Sequence, residues 1–73
     1  MISERLKLKR QANQMSLRDL VWALEKSGVT ITKTALSHYE TGKTIPNERM
    51  LQCLAQELGT SVEFLLSDSK FHP

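Results

Sequence analysis

Lys33, Thr34, Ser37, His38 and Thr41 share one face of a helix predicted over residues 32–43, and that face is dense in small hydrogen-bonding groups. The opposite face carries Ala35, Leu36 and Tyr39, residues suited to packing against a core. Only one charge, that of Lys33, stands on the polar face. A merely solvated face more often carries several Glu and Lys residues, so this one has the composition of a surface that hydrogen-bonds to an ordered partner. Thr32 is placed to cap the helix start with its hydroxyl, and Gly42 to end the helix in a left-handed turn.

Other chemistries find no support in the sequence. The two histidines are His38, on this face, and His72, near the end of the chain. Ser, His and Asp occur without any spacing that makes a catalytic triad, so no residue is assigned a catalytic role. There is no Gly-rich phosphate loop and no His, Cys or carboxylate cluster with metal-ligand spacing. No metal, cofactor or small-molecule ligand is therefore expected. Cys53 is the only cysteine, which excludes an internal disulfide. It stands beside Met50, Leu54 and Ala55 and is expected to be a small packing residue.

The elements that must position the polar face read as five helices and no strand, an all-α fold. The first spans residues 2–13, with Ile2 and Leu6 on one stripe and Leu8 off it, expected to cover a neighbouring element. Ser16-Leu17-Arg18-Asp19 has the form of a capping box opening the second helix. Leu17, Leu20, Val21 and Leu24 follow at i, i+3, i+4 and i+7, and Gly28 ends the run. Residues 29–31 form a short connector with alternating apolar side chains. After the third helix, Pro46 and Asn47 introduce a fourth carrying Met50, Leu51, Leu54, Ala55 and Leu58. Thr60 and Ser61 then cap a short fifth helix bearing Val62, Phe64, Leu65 and Leu66. Residues 1–66 are read as one domain and residues 67–73 as a tail or the start of a linker. Trp22 lies off the apolar stripe of helix two; packing against the 29–31 connector is favoured over an exposed anchor for a partner.

Seventy-three residues support one small domain, and 40% apolar with 25% charged residues is the composition of a water-soluble one. No apolar run can span a bilayer and the charged N-terminus is not a signal peptide, so a cytoplasmic protein without membrane contact is expected. The net charge of +2 is unevenly spread. Residues 1–46 hold eight Lys/Arg against four acids, giving +4; residues 47–73 hold two against four, giving −2. The basic end is the end with the polar helix, which suits a polyanionic partner.

Several signatures in order carry a family likeness: Ile2-Ser3-Glu4-Arg5-Leu6-Lys7 with Arg10, then Ser16-Leu17-Arg18-Asp19-Leu20. Ala35-Leu36-Ser37-His38-Tyr39-Glu40-Thr41-Gly42-Lys43 follows, then Pro46, then the run from Leu54 through Gly59 to Leu66. Over roughly residues 1–66 the chain resembles the lambdoid phage repressor and Cro family of helix-turn-helix proteins, also called the xenobiotic-response-element family. The resemblance implies a five-helix DNA-binding domain whose helices two and three form the helix-turn-helix. It implies base reading by Lys33 and Thr34, with Ser37 and His38 one turn later. The physics agrees: lysine can donate to guanine O6/N7, threonine offers a hydroxyl and a methyl, and neutral histidine can donate or accept.

Ser16 and the open amides of helix two suit a DNA phosphate. Thr41, Lys43 and Thr44 stand where relatives grip the backbone, and Arg10 is expected to face a phosphate while Glu40 positions it. Two departures from the family are visible. About five extra residues lie between Leu24 and Thr32, so helix two is expected to be longer by one turn. Leu17 stands where many relatives place a backbone-contacting glutamine, and that contact is expected to pass to Arg18 or Ser16. The partner implied is double-stranded DNA, bound by a homodimer whose contact uses Phe64, Leu65 and Leu66. A transcriptional regulator, specifically a repressor, is the leading expectation. The alternatives are the DNA-targeting N-terminal domain of a larger regulator and an antitoxin-like protein-interaction module.

Overall fold

Each helix after the first begins at a short polar side chain that the sequence marks as a cap. In the computed structural model, which describes residues 2–67, the helices are α1 (Ile2–Ala12), α2 (Leu17–Lys26), α3 (Lys33–Thr41), α4 (Glu48–Glu57) and α5 (Val62–Leu66). Ser16, Thr32, Asn47 and Ser61 accept hydrogen bonds from the backbone N–H three residues on, at 3.0, 3.0, 2.8 and 3.0 Å. At Ser16 the box is complete, because its own amide donates to Asp19 Oδ2 at 2.8 Å. Pro46 is buried immediately before the Asn47 cap, where its missing N–H leaves no bond unmade.

α2 ends in a Schellman turn. Val29 N–H reaches Leu24 O at 2.8 Å and Gly28 N–H reaches Glu25 O at 2.9 Å, with Gly28 at φ +91°. Only Glu25 and Lys26 extend the helix beyond Leu24. The extra residues between the motif helices therefore go mostly into the connector, and the expected full additional turn of α2 is not formed. The reason is local. Gly28 stops the helix, and Val29, Thr30 and Ile31, all β-branched, run on without helical structure. Ile31 is buried, Val29 half-buried and Thr30 exposed, so this stretch adds to the core.

α1 ends differently. Gln14 takes the left-handed position at φ +58°, a conformation that costs a non-glycine residue about 1 kcal/mol. It is held there by Met15 N–H bonding to Arg10 O at 3.1 Å and Gln14 N–H bonding to Gln11 O at 2.9 Å.

Leucines from all five helices meet in one core. Leu6, Leu20, Leu24, Leu36, Leu54, Leu58 and Leu65 are almost wholly buried, joined by Ile31, Leu51 and Ala55. α1 packs on α3 and α5, α2 on α3 and α4, and α4 on α5. Each fully buried leucine contributes about 2 kcal/mol of transfer free energy, and in a domain this small the set is what fixes α3 in place. Cys53 is half-buried against this core.

Three expectations fail on burial. Leu8 is exposed on α1 and is not among the apolar residues packed against the core. Trp22 is 60% exposed; it lies about 200° around the helix from Leu20, and the Lys26 ammonium sits over its ring, 4.2 Å from the centroid. Leu65, expected at a dimer contact, is fully buried in its own core. Phe64 is half-buried, with Arg5 and Lys9 over its ring at 4.3 and 4.9 Å. Leu66 alone of the three is exposed. The expected tail lies outside the described residues from Asp68 onward.

Candidate nucleic-acid interface

Helix N-termini carry unpaired N–H groups and a partial positive charge, so acidic side chains are favoured in the first turn. Four helices follow this rule, with Glu4 in α1, Asp19 in α2, Glu48 in α4 and Glu63 in α5. α3 has no acid there and opens instead on Lys33, which is exposed. A cation at that position opposes the helix field unless an anion arrives to meet both.

A cationic cleft lies beside it. Lys33, Arg10, Arg18, Ser16 and Leu17 line one open cleft of about 510 Å³ at the adjoining starts of α2 and α3. Three cations and a helix N-terminus converge there without an acid in the lining. Leu17 supplies an apolar wall. The resemblance alone does not place Lys33 in this cleft beside Arg10; the packing of α2 on α3 does.

Arg10 is fixed by three charge-assisted bonds. Its Nε and Nη2 donate to the two carboxylate oxygens of Glu40, at 2.6 and 2.9 Å, and Nη1 donates to Met15 O at 2.7 Å. Both side chains are nearly buried, 11% and 6% exposed. The Glu40 bond holds the Arg10 guanidinium above its already high ordinary value; burial opposes this in part, and the Glu40 charge adds a smaller contribution in the same direction as the bond. Arg10 is a permanent cation whose fork is already oriented by α3 when it presents its remaining N–H groups to the cleft. The Arg10–Glu40 contact was expected; the Met15 carbonyl was not. It depends on the left-handed turn at Gln14, which has no glycine to announce it.

On α3 itself, Lys33, Thr34 and Thr41 are exposed, while Ser37 and His38 are half-buried on the same side. The loop that follows hangs from a single acceptor. His38 O takes the Gly42 N–H, the Lys43 N–H at 3.0 Å, the Thr44 N–H at 3.3 Å and the Thr41 hydroxyl at 3.3 Å. Gly42 turns the chain at φ +82°. Lys43 and Thr44 are thereby held, exposed, at the far end of α3 from Lys33. Cations thus flank the polar face at both ends, the disposition that a duplex phosphate chain on each side of a groove requires.

A helix-turn-helix family profile of the Cro/C1 type matches residues 23–65, more than half of the chain. The chain belongs to the Cro/C1-type helix-turn-helix family. It is accordingly a DNA-binding domain of the transcription-regulator kind, and α2 and α3 are its motif helices. No curated protein and no solved structure matched the chain significantly. The profile begins inside α2, so Arg10, Ser16 and Arg18 precede the matched residues of this Cro/C1-type domain; the cleft depends on α1 and on the start of α2 as well. No helix among the described residues is long and apolar enough to cross a membrane.

Proposed function

We propose that the chain is a cytoplasmic transcriptional repressor, acting by binding rather than by catalysis, that docks α3 in the major groove of a two-fold symmetric operator as a homodimer. Residues 1–66 form its DNA-binding unit. Lys33 and Thr34 meet base edges, and Ser37 and His38 follow one turn later. Ser16, Arg18 and Arg10, positioned by Glu40, take one phosphate chain; Thr41, Lys43 and Thr44 take the other. Half-sites lie about one helical turn (~34–36 Å) apart.

The observation that carries this reading is the first turn of α3. It breaks the rule the other four helices obey, and its Lys33 shares a cleft with two arginines and a helix N-terminus. An anion satisfies all of these groups at once.

Selection of bound duplexes from a random pool tests the proposal. The expected product is an inverted repeat whose affinity falls steeply with salt, since phosphate neutralisation releases counterions. Recovery of unrelated sequences, or a single asymmetric half-site with one protein per duplex at saturation, would overturn it.

A further inference from the structure

Four of the five residues lining the cationic cleft are charged or polar, and each has a task on the duplex proposed above. Leu17 has none. It belongs to the apolar stripe of α2, but Leu20 and Leu24 on that stripe are wholly buried, whereas Leu17 is half-buried. It packs against the core and still leaves apolar surface on the cleft wall that it shares with Lys33. We infer that Leu17 is a specificity-determining residue, which reads the 5-methyl group of a thymine next to the base pair that Lys33 reads. The inference rests on the DNA reading above and adds to it a base contact from outside α3.

The group recognised follows from what a duplex can offer an apolar wall. Phosphates and the hydrogen-bonding base edges need water or a polar partner, and against Leu17 they lose the first without gaining the second. The apolar groups that remain are the deoxyribose carbons and the thymine methyl. The sugars open mainly toward the minor groove, while α3 docks in the major groove. Position also favours the methyl. Leu17 shares its cleft with Ser16 and Arg18, which take a phosphate, and with Lys33, which meets a base edge. The thymine methyl projects from the backbone side of the base edge, at the border between those two sets of contacts.

Packing makes the contact discriminating. Leu17 stands in the first turn of α2, anchored on the core, and the capping box of Ser16 and Asp19 fixes that turn. A wall held in this way does not close on a smaller group, so a base without the methyl leaves a gap against it. The group read is a methyl and not a hydrogen-bonding pattern, so 5-methylcytosine presents it as thymine does.

The deciding experiment takes the duplex selected from the random pool and replaces each thymine singly by uracil. This removes the methyl and keeps every hydrogen-bonding group. The wild-type chain is expected to lose about 4-fold in affinity at one thymine of each half-site, the factor for one buried methyl-sized group. That thymine lies beside the pair whose preference Lys33→Ala flattens. Leu17→Met, which keeps the wall apolar, is expected to retain the loss, and Leu17→Asn, similar in size but polar, to abolish it. Each ratio of thymine to uracil affinity is taken within one variant, so a partly unfolded variant lowers both values and leaves the ratio readable. With cytosine at the same position, 5-methylation is expected to tighten binding about 4-fold for the wild type and not for Leu17→Asn. Uracil replacements without effect at every position overturn the inference and leave the DNA reading standing. So does a methyl effect that Leu17→Asn leaves intact, or a Leu17→Asn that weakens thymine and uracil duplexes alike, as loss of a sugar contact does. If the wild type binds no duplex, the DNA reading itself fails and this inference with it.

Discussion

α3 and α4 are near-equal helices of nine and ten residues, each capped by a side-chain oxygen, and they differ in what completes them. α4 is completed by the protein. It buries Leu51, Leu54 and Ala55, places Glu48 against its own N-terminal field, and turns Arg49, Gln52 and Gln56 to solvent. α3 buries only Leu36, has no acid in its first turn, and shows Lys33 and Thr34 beside a cationic cleft. One sequence is satisfied by folding. The other leaves its N-terminal field unmet by any acid of its first turn, and such a departure from local rules is characteristic of functional surfaces.

The comparison breaks first if the two helices respond alike to substitution. Leu54→Ala, in the fully buried stripe of α4, is expected to cost ~2–5 kcal/mol of folding stability. In a domain of this size that leaves little of the native state, and denaturant unfolding measures it. Any DNA binding lost by this variant should return in proportion to the fraction folded.

Next in size is the pair that joins α1 to α3. Glu40→Ala leaves Arg10 nearly buried and bonded only to the Met15 carbonyl, a loss on the order of 2 kcal/mol, between that of an exposed and of a buried pair. It is also expected to weaken DNA binding evenly over all operator variants. In a double-mutant cycle with Arg10→Ala, losses that add strictly in both stability and affinity would show that the two charges act independently.

The substitutions on and beside α3 sharpen the contrast. Lys33→Glu supplies the missing first-turn acid and is expected to raise folding stability by ~0.3–1 kcal/mol while abolishing operator binding. Lys33→Ala and Thr34→Ala should each remove ~1–3 kcal/mol of discrimination at one or two base pairs. Lys43→Ala should weaken all sequences alike and lower the salt slope by about one unit. Titrations over single-base operator variants at two salt concentrations separate these outcomes. Base preference altered by Lys43→Ala, with uniform weakening by Lys33→Ala, would mean α3 docks in another orientation.

Local rules made most of the fold legible. Ser16, Thr32, Asn47 and Ser61 could be named as caps because each signal lies within four residues of the helix it starts. The stripes through Leu20 and Leu24 and through Leu51, Leu54 and Leu58 fix burial by period alone. At Trp22 the helical angle from Leu20 decides exposure, over the general preference for burying aromatics. α5 is too short for any period to tell Leu65 from Leu66, so its inward face is decided by how it docks on α1 and α4. Arg10 and Glu40, thirty residues apart, have no local signal at all and were paired only through the family likeness. The cleft is a product of packing, and no single segment of the sequence contains it.

The smallest expected effect lies at the start of α2, where the cap can be titrated and that of α3 cannot. The Ser16 amide, and after it the Ser16 hydroxyl, hold the Asp19 carboxyl below the usual carboxylate range, against a minor opposing effect of burial. A group depressed in the folded state stabilises it fully above the unfolded value near 3.9, and that contribution is lost as pH falls through the folded value. Acidification below about pH 4 should therefore loosen the first turn of α2, including the amides beside the cationic cleft. The Thr32 cap of α3 has a hydroxyl and no carboxylate partner, so its first turn should keep its protection over the same range. Amide hydrogen exchange at Asp19 and Ala35, followed from pH 5 to pH 3 after correction for intrinsic rates, reads the two ends within one molecule. Asp19→Asn should remove the pH dependence at α2 and leave α3 unchanged. Equal loss of protection at both helices would assign the effect to global acid unfolding, and the asymmetry between the caps would have no energetic meaning.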